Sequence, residues 1–352
     1  DEDNTVYPLY HEGADTGRRI VSGIDADYAK NIIDTASSFL VDQVQDDGRF
    51  IYGIRPQFDR EIDSYNILRH SGTIWSLICR YRMFPDEALK DKIDHTIDYM
   101  LSQILYDDDG AGYIYEADDD EIKLGGNGIA IVALTEYMDV FQNEDYRDAC
   151  GALGEGILKQ QDADGSYWHI LWRDFSQLEQ FRTVYYDGEC TFGLTRLYSL
   201  TGEQKWLDAA CLAIDHFIAE DYTQYRDHWV AYSLNEVTKY VDRQDYYDFA
   251  LANATNNYAR ILGRSRTYPT NLELLISAFE TWQRMVDQGI DTGDFDVKEL
   301  LDVISARLQE KLIPGFEEYG LTIPQFYVTN VVLPEDDPNF KRIRELHTIT
   351  LQ

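Results

Sequence analysis

One apolar helical phrase recurs five times along the chain, and it leaves few architectures open. Leu194 anchors it in YYDGECTFGLTRLYSLTG, and the same anchor stands at Leu77, Leu134 and Leu234 and, more loosely, at Phe279. The separations are 57, 60, 40 and 45 residues, the length of a degenerate helix-hairpin repeat. One place before each anchor is a small residue: Ser76, Ala133, Gly193, Ser233, Ala278. Small residues at one phase let helices approach closely, or leave room beside a central cavity. The repeat predicts an all-α fold, a closed array of helical hairpins. One domain over 25–352 is expected, preceded by an extended arm over 1–24 that is rich in Gly and Asp and lacks periodicity.

Composition narrows the partners. Lys and Arg number 31 against 64 Asp and Glu, a net charge of −33, which disfavours nucleic acid and anionic membranes. A fraction of 44% hydrophobic residues supplies a core, and 26 Tyr exceed what that core needs, pointing to an aromatic groove. Cys79, Cys150, Cys190 and Cys211 are scattered without CxxC or metal spacing, so free, mostly buried thiols are expected. The pattern calls for no metal and no cofactor. It also holds no transmembrane run and no signal peptide. A start at Asp1 with a polar lead suits a matured exported or cell-surface protein.

Helices are expected over 25–45, 63–83, 86–105, 126–142, 144–160, 187–201, 203–220, 227–242, 245–263, 270–288 and 295–312, with an irregular element around 325–332. Three Asp-Gly turns with aromatic tails follow alternate helices: QDDGRFIYG, YDDDGAGYIYE and QDADGSYWHILW. Each reads as a short hairpin whose turn needs a residue tolerant of positive φ. The acids Asp107–Asp109 and Asp118–Asp120 could gather calcium, though no EF-hand spacing is present. Loops alternate between short and long, which places the long aromatic ones at a single mouth.

The phrase LTGEQKWLDAACLAIDHFI, residues 200–218, and the Asp-Gly turns resemble the six-hairpin (α/α)6 toroid superfamily. That group includes many glycoside hydrolases, N-acylglucosamine 2-epimerase-like enzymes and unsaturated glucuronyl hydrolases. The resemblance implies an (α/α)6 toroid with short β-hairpins at the funnel mouth; it carries over no catalytic residue. No DxDD run and no Cys/His zinc spacing point to the cyclases of similar shape.

Residues five and eight before an anchor share a face with the small position. Among them Glu189 is the only carboxylate, with Tyr186 one turn away, so Glu189 is the first candidate for general acid or base work. Asp187 and Asp227, seven before their anchors, suit helix caps as well as catalysis. Glu189 and Asp227 on neighbouring helices fit the wider carboxylate spacing of an inverting glycosidase, with Asp63 in reserve. Asn66, Arg69 and His70 suit binding an anionic group or moving a proton. Trp168, His169, Trp172, Tyr185, Tyr186 and Trp229 are stacking candidates, and Asn127, Arg226, His228 and Asn271 complete the substrate-binding set. Three functions fit: a glycoside hydrolase with paired carboxylates, a sugar epimerase or lyase using His, Tyr and Arg, and a toroid that only binds glycan or protein. Oligomeric state is left open by the sequence.

Overall fold

The computed structural model describes residues 26–178, 182–263 and 268–304, with a few short pieces before residue 26. Its helices are α1 (Ala26–Asp42), α2 (Ile67–Met83), α3 (Glu87–Ser102), α4 (Leu124–Phe141), α5 (Arg147–Lys159), α6 (Tyr186–Thr201), α7 (Gln204–Ala219), α8 (His228–Val237), α9 (Gln244–Thr255), α10 (Tyr258–Leu262) and α11 (Tyr268–Gln288). A further helix begins at 297 and is described to 304. The expected element around 325–332 and most of the arm over 1–24 lie outside the described residues.

The five anchor helices form the inner layer. Helices α2, α4, α6, α8 and α11 pack side by side in that order, and α3, α5, α7 and α9 lie against their outer faces. Anchors Leu77, Leu134, Leu194 and Leu234 are fully buried between the layers, amid Ile93, Leu153, Trp206 and Phe217. This apolar seam drives the pairing, at roughly 25 cal/mol per Å2 buried. At Gly193 and Ser233 the small position proves to be a helix contact. A side-chain carbon on Gly193 would stand 2.9 Å from the Gly128 carbonyl oxygen on α4. Ser233 donates to the Gly188 carbonyl at 3.0 Å, tying α8 to α6. Ser76 is exposed.

Three differences from expectation have local causes. Helix 245–263 breaks between α9 and α10, where the Asn257 amide turns to the Thr223 and Asn253 carbonyls. Helix α4 starts at Leu124 because strand pairing delivers the chain to that point, and Leu124 N–H donates to the His169 carbonyl at 2.9 Å. Helix α2 starts at Ile67, capped by Asn66, and not at 63.

Strands β3 (Ile104–Tyr106), β4 (Gly112–Glu116), β5 (Glu121–Lys123) and β6 (Ile170–Trp172) form one antiparallel sheet at the N-terminal end of the inner helices; β1 (Ile54–Arg55) and β2 (Arg60–Glu61) form a second, smaller one. The Asp-Gly turns have the expected geometry: Gly48, Gly110 and Gly165 have φ of 85°, 85° and 89°. Glu116 at the end of β4 accepts the Ile67 and Leu68 N–H groups, so a strand caps α2. The acids of the second turn are engaged within the fold: Asp107 and Asp109 pair with Lys159, Asp107 also accepts the Ala111 N–H, and Asp118 accepts the Tyr65 N–H.

At the far end, Glu136 on α4 joins Arg82 of α2 and Arg196 of α6, and Arg284 of α11 donates to Asn235 and Thr238 on α8. A polar cavity of about 510 Å3 opens there, lined by residues such as Asp139, Glu144, Arg196 and Lys239. All four cysteines are free; Cys150 and Cys190 are buried, and Cys79 and Cys211 half-buried. No described helix is long and apolar enough to cross a membrane.

Candidate active site

Three carboxylates meet where the N-termini of α6 and α8 come together. Asp187 is 2% exposed, Glu189 4% and Asp227 0%. Such burial costs each ionised form its hydration, and one oxygen of each (Asp187 Oδ2, Glu189 Oε2, Asp227 Oδ2) has no hydrogen-bond partner. An unsatisfied buried polar atom costs about 1–3 kcal/mol. Three together, on side chains that shape alone could replace with apolar ones, mark a place built for something else.

Their surroundings differ. Glu189 lies against the bare backbone of α4: a side-chain carbon added at Gly125 would stand 2.1 Å from Glu189 Oε2 and 2.7 Å from the Tyr186 ring. Burial raises its pKa well above the carboxylate range, and Asp227 and Asp187 add to the rise. Asp227 caps α8 with one oxygen, accepting the Trp229 N–H at 2.8 Å, and leaves the other free. Burial, opposed by that N–H and by Arg182 and aided by Asp187, pushes its pKa to about 7. Asp187 is held from two sides. His169 Nε2 lies 2.8 Å from Oδ1, and Arg182 Nε stands 3.2 Å from Oδ2 without the alignment of a hydrogen bond. Thr183 N–H donates to His169 Nδ1 at 2.7 Å, so the ring proton sits on Nε2 and points to Asp187.

The other expected residues fall into groups. Tyr185 packs edge-on against His228 with centroids 5.0 Å apart, and Tyr186 lies 5.6 Å from His169. His228 is buried with Nδ1 unpartnered, its Nε2 3.6 Å from Glu273 of α11, and burial lowers its pKa to about 4. Asn271, also on α11, has an unpartnered amide nitrogen. Arg226 precedes the cap with φ of 56°. Trp229 is half-buried beside His228. Trp168 is half-buried and Trp172 exposed on the sheet.

The structure sets five residues apart from this cluster. His70 is wedged between α2 and α3, one nitrogen on the Tyr65 hydroxyl and the other on the Thr96 carbonyl, so its packing role leaves no nitrogen for substrate. Asn66 and Arg69 line, with His70 and Phe39, a cavity of about 390 Å3 on the α1 side. Asp63 borders a different cavity of about 450 Å3 with Arg49 and Arg60. Asn127 spends its amide on Ile114 N–H and the Gly112 and Leu153 carbonyls, fixing β4 to α4 and α5.

Sequence reasoning passed over Arg182, Glu273, Trp75, Phe192 and Tyr232. Arg182 lies in a loop outside any helical phase, its guanidinium 3.5 Å from the Tyr225 ring centroid. The three aromatics carry a readable signal, since each stands two places before its anchor. They meet Trp229 in one cluster: Trp75 is 5.8 Å from Trp229, and Phe192 is stacked at 5.4 Å on Tyr232.

No protein-family model matches the chain, and no curated protein matches it. Solved structures do. The cellobiose 2-epimerase of Bacillus thermoamylovorans B4167 superposes with a TM-score of 0.54 at 13% identity, over 76% of this chain and 88% of that one. A D-mannose isomerase gives 0.63 at 12%, over 81% and 87%. A GH76 α-mannanase of Bacteroides thetaiotaomicron gives 0.51 at 12%, over 65% and 72%. The chain has the (α/α)6 toroid fold. Within that toroid, the carboxylate cluster lies at the end where inner-helix N-termini gather.

Gly125 offers a direct check on how Glu189 is seated. The Gly125→Ala methyl would collide with side chains and not with a rigid backbone: the free end of Glu189 at 2.1 Å, the Tyr186 ring at 2.7 Å and Leu68 at 2.8 Å. The fold should tolerate it, with a melting temperature within a few degrees of the parent. Any activity that depends on Glu189 should fall about tenfold or more, since misplacement of a reacting group by about 1 Å is that costly. Full activity in that variant would mean Glu189 is not at the reacting centre.

Proposed function

We propose that the protein is a carbohydrate-active enzyme, a glycoside hydrolase in which Glu189 is the general acid and Asp227 the general base. The observation that carries this reading is the pair of buried carboxylates on adjacent inner helices, each with one unpartnered oxygen. Burial and the two neighbouring carboxylates favour the protonated form of Glu189, the form that can give a proton to the glycosidic oxygen. Asp227, ionised above about pH 7, draws a proton from the attacking water. Adjacent inner helices pack about 8–10 Å apart, which suits the ~6.5–9.5 Å separation of an inverting pair. His169 and Arg182 fix Asp187, whose charge acts on both. The fold shared with a GH76 α-mannanase supports the carbohydrate-active reading.

A second reading, a sugar epimerase or isomerase, draws on His228, whose Nδ1 is free and whose Nε2 faces Glu273. One experiment separates the two. Unlabelled oligosaccharides of mannose, glucose and uronic acids, with free reducing ends, are incubated in D2O, and the products are resolved by chromatography and NMR. Hydrolysis yields shorter chains with no deuterium on carbon. Epimerisation keeps chain length and incorporates deuterium on the carbon beside the reducing-end carbonyl.

The hydrolase reading also fixes a pH profile. The rate should depend on pH through two limbs, one near 7 where Asp227 titrates and the other set by Glu189, whose pKa burial raises above the ordinary carboxylate range. Asp227→Asn should remove most of the activity together with the limb near 7. A rate constant between pH 5 and 9 would contradict the assignment.

A further inference from the structure

The ring order of the inner helices places α8 two helices beyond α4, so α2 and α8 are not neighbours. Even so, their side chains touch: Trp75 on α2 lies 5.8 Å from Trp229 and 6.2 Å from Tyr232 on α8. Phe192 on α6 joins the same group, 6.3 Å from Trp75 and 6.2 Å from Trp229. Contacts between non-adjacent inner helices must cross the middle of the ring. The four aromatics therefore meet on its axis.

Their height is set by the sequence. Phe192 stands three residues after Glu189, one helical turn deeper on nearly the same face. Trp229 follows two places after Asp227, and Tyr232 lies one turn below Trp229. Trp75, Phe192 and Tyr232, each two places before its anchor, thus lie about one turn deeper than Glu189, which stands five before its own; Trp229, also five before its anchor, starts level with Glu189 and its ring reaches Trp75 and Phe192. The far-end Arg82–Glu136–Arg196 bridges lie deeper still, at the other ends of α2, α4 and α6.

We propose that these four rings are the floor of a blind pocket, so that the enzyme removes one terminal sugar at a time and does not cut within a chain. The proposal rests on the hydrolase reading of the same site. A polymer threading past Glu189 and Asp227 needs an open passage on both sides of the scissile bond. Here one side ends on indole and phenyl faces, which suit the C–H face of a single pyranose ring. Trp75 and Trp229, both half-buried, supply the stacking surface.

The test uses the full chain and tetra- to hexasaccharides of mannose, glucose and uronic acids labelled at the reducing end. Stepwise loss of one sugar from the unlabelled end, with the monosaccharide as the early small product, is expected. Early appearance of a mixture of internal fragments overturns the proposal while leaving the hydrolase reading standing. If none of the oligosaccharides is cut, the hydrolase reading falls, and the floor is then judged by binding alone. Titration with free mannose, glucose and glucuronate should quench the intrinsic tryptophan fluorescence saturably. Trp75→Ala should weaken that quench at least tenfold, and Trp75→Phe, which keeps a ring, should weaken it much less. Absence of a saturable quench by all three sugars, or an equal quench in Trp75→Ala, overturns the floor.

Discussion

Glu189→Gln is expected to lower hydrolysis by about 10² or more while leaving the helix signal by circular dichroism intact. The amide keeps the shape that fits against Gly125 but has no proton to donate. A parallel effect on stability identifies the same group independently. Glu189 has a folded pKa raised well above the ordinary glutamate range, mainly by burial. Its contribution to stability is therefore fully present below about pH 4.5 and is lost as pH rises toward the folded value. The parent protein should lose melting temperature as pH rises above the ordinary glutamate range, and Glu189→Gln should lose visibly less. Asp227 behaves alike over a lower window, its contribution draining as pH passes from about 4 to about 7. If Glu189→Gln hydrolyses at the parental rate, the general acid lies elsewhere and His228 becomes the group to replace.

Gly128→Ala should be among the most damaging small changes to the inner layer of the fold. A carbon at that position would stand 2.5 Å from the Glu189 carbonyl oxygen and 2.8 Å from the Cys190 nitrogen. Both are helix backbone, so neither can swing aside, and α4 and α6 must separate. Overpacking of this kind costs about 1–3 kcal/mol, a loss of several degrees in melting temperature. Gly151 on α5 is the control, because an added carbon there meets nothing within 4 Å. Gly151→Ala should stabilise by roughly 0.5–1 kcal/mol through helix propensity. Equal melting temperatures for the two variants would show that the α4–α6 approach is looser than described.

The architecture was legible because its causes are periodic. Leu77, Leu134, Leu194 and Leu234 recur at one phase since each must fill the seam between layers, and Asp-Gly recurs where the chain must take positive φ. Glu189 could be singled out by that same phase, as a carboxylate where the other repeats carry Gly72, Ile129, Trp229 and Leu274. The neighbours of that carboxylate were harder to read. Arg182 and His169 reach Asp187 from a loop and a sheet edge, where no period applies. His70 and Asn127 look like site residues by chemical type, yet their polar atoms are consumed by backbone groups brought close only in three dimensions. Residue type announces a capacity for chemistry; only contacts reveal whether that capacity is already spent.

The cap that Glu116 places on α2 has a consequence for the order of folding. Its two oxygens take the Ile67 and Leu68 N–H groups from a strand 49 and 48 residues later in the chain. The first turn of α2, capped locally by Asn66, therefore gains its second cap only when β4 docks. Closing that loop is an entropic cost met before the contact repays it. The first turn of α2 and the β3–β4 hairpin should exchange their amide hydrogens as one cooperative unit, opening together and closing together. The floor residue Trp75, two turns further along the same helix, is thereby held in register by a carboxylate from another part of the chain.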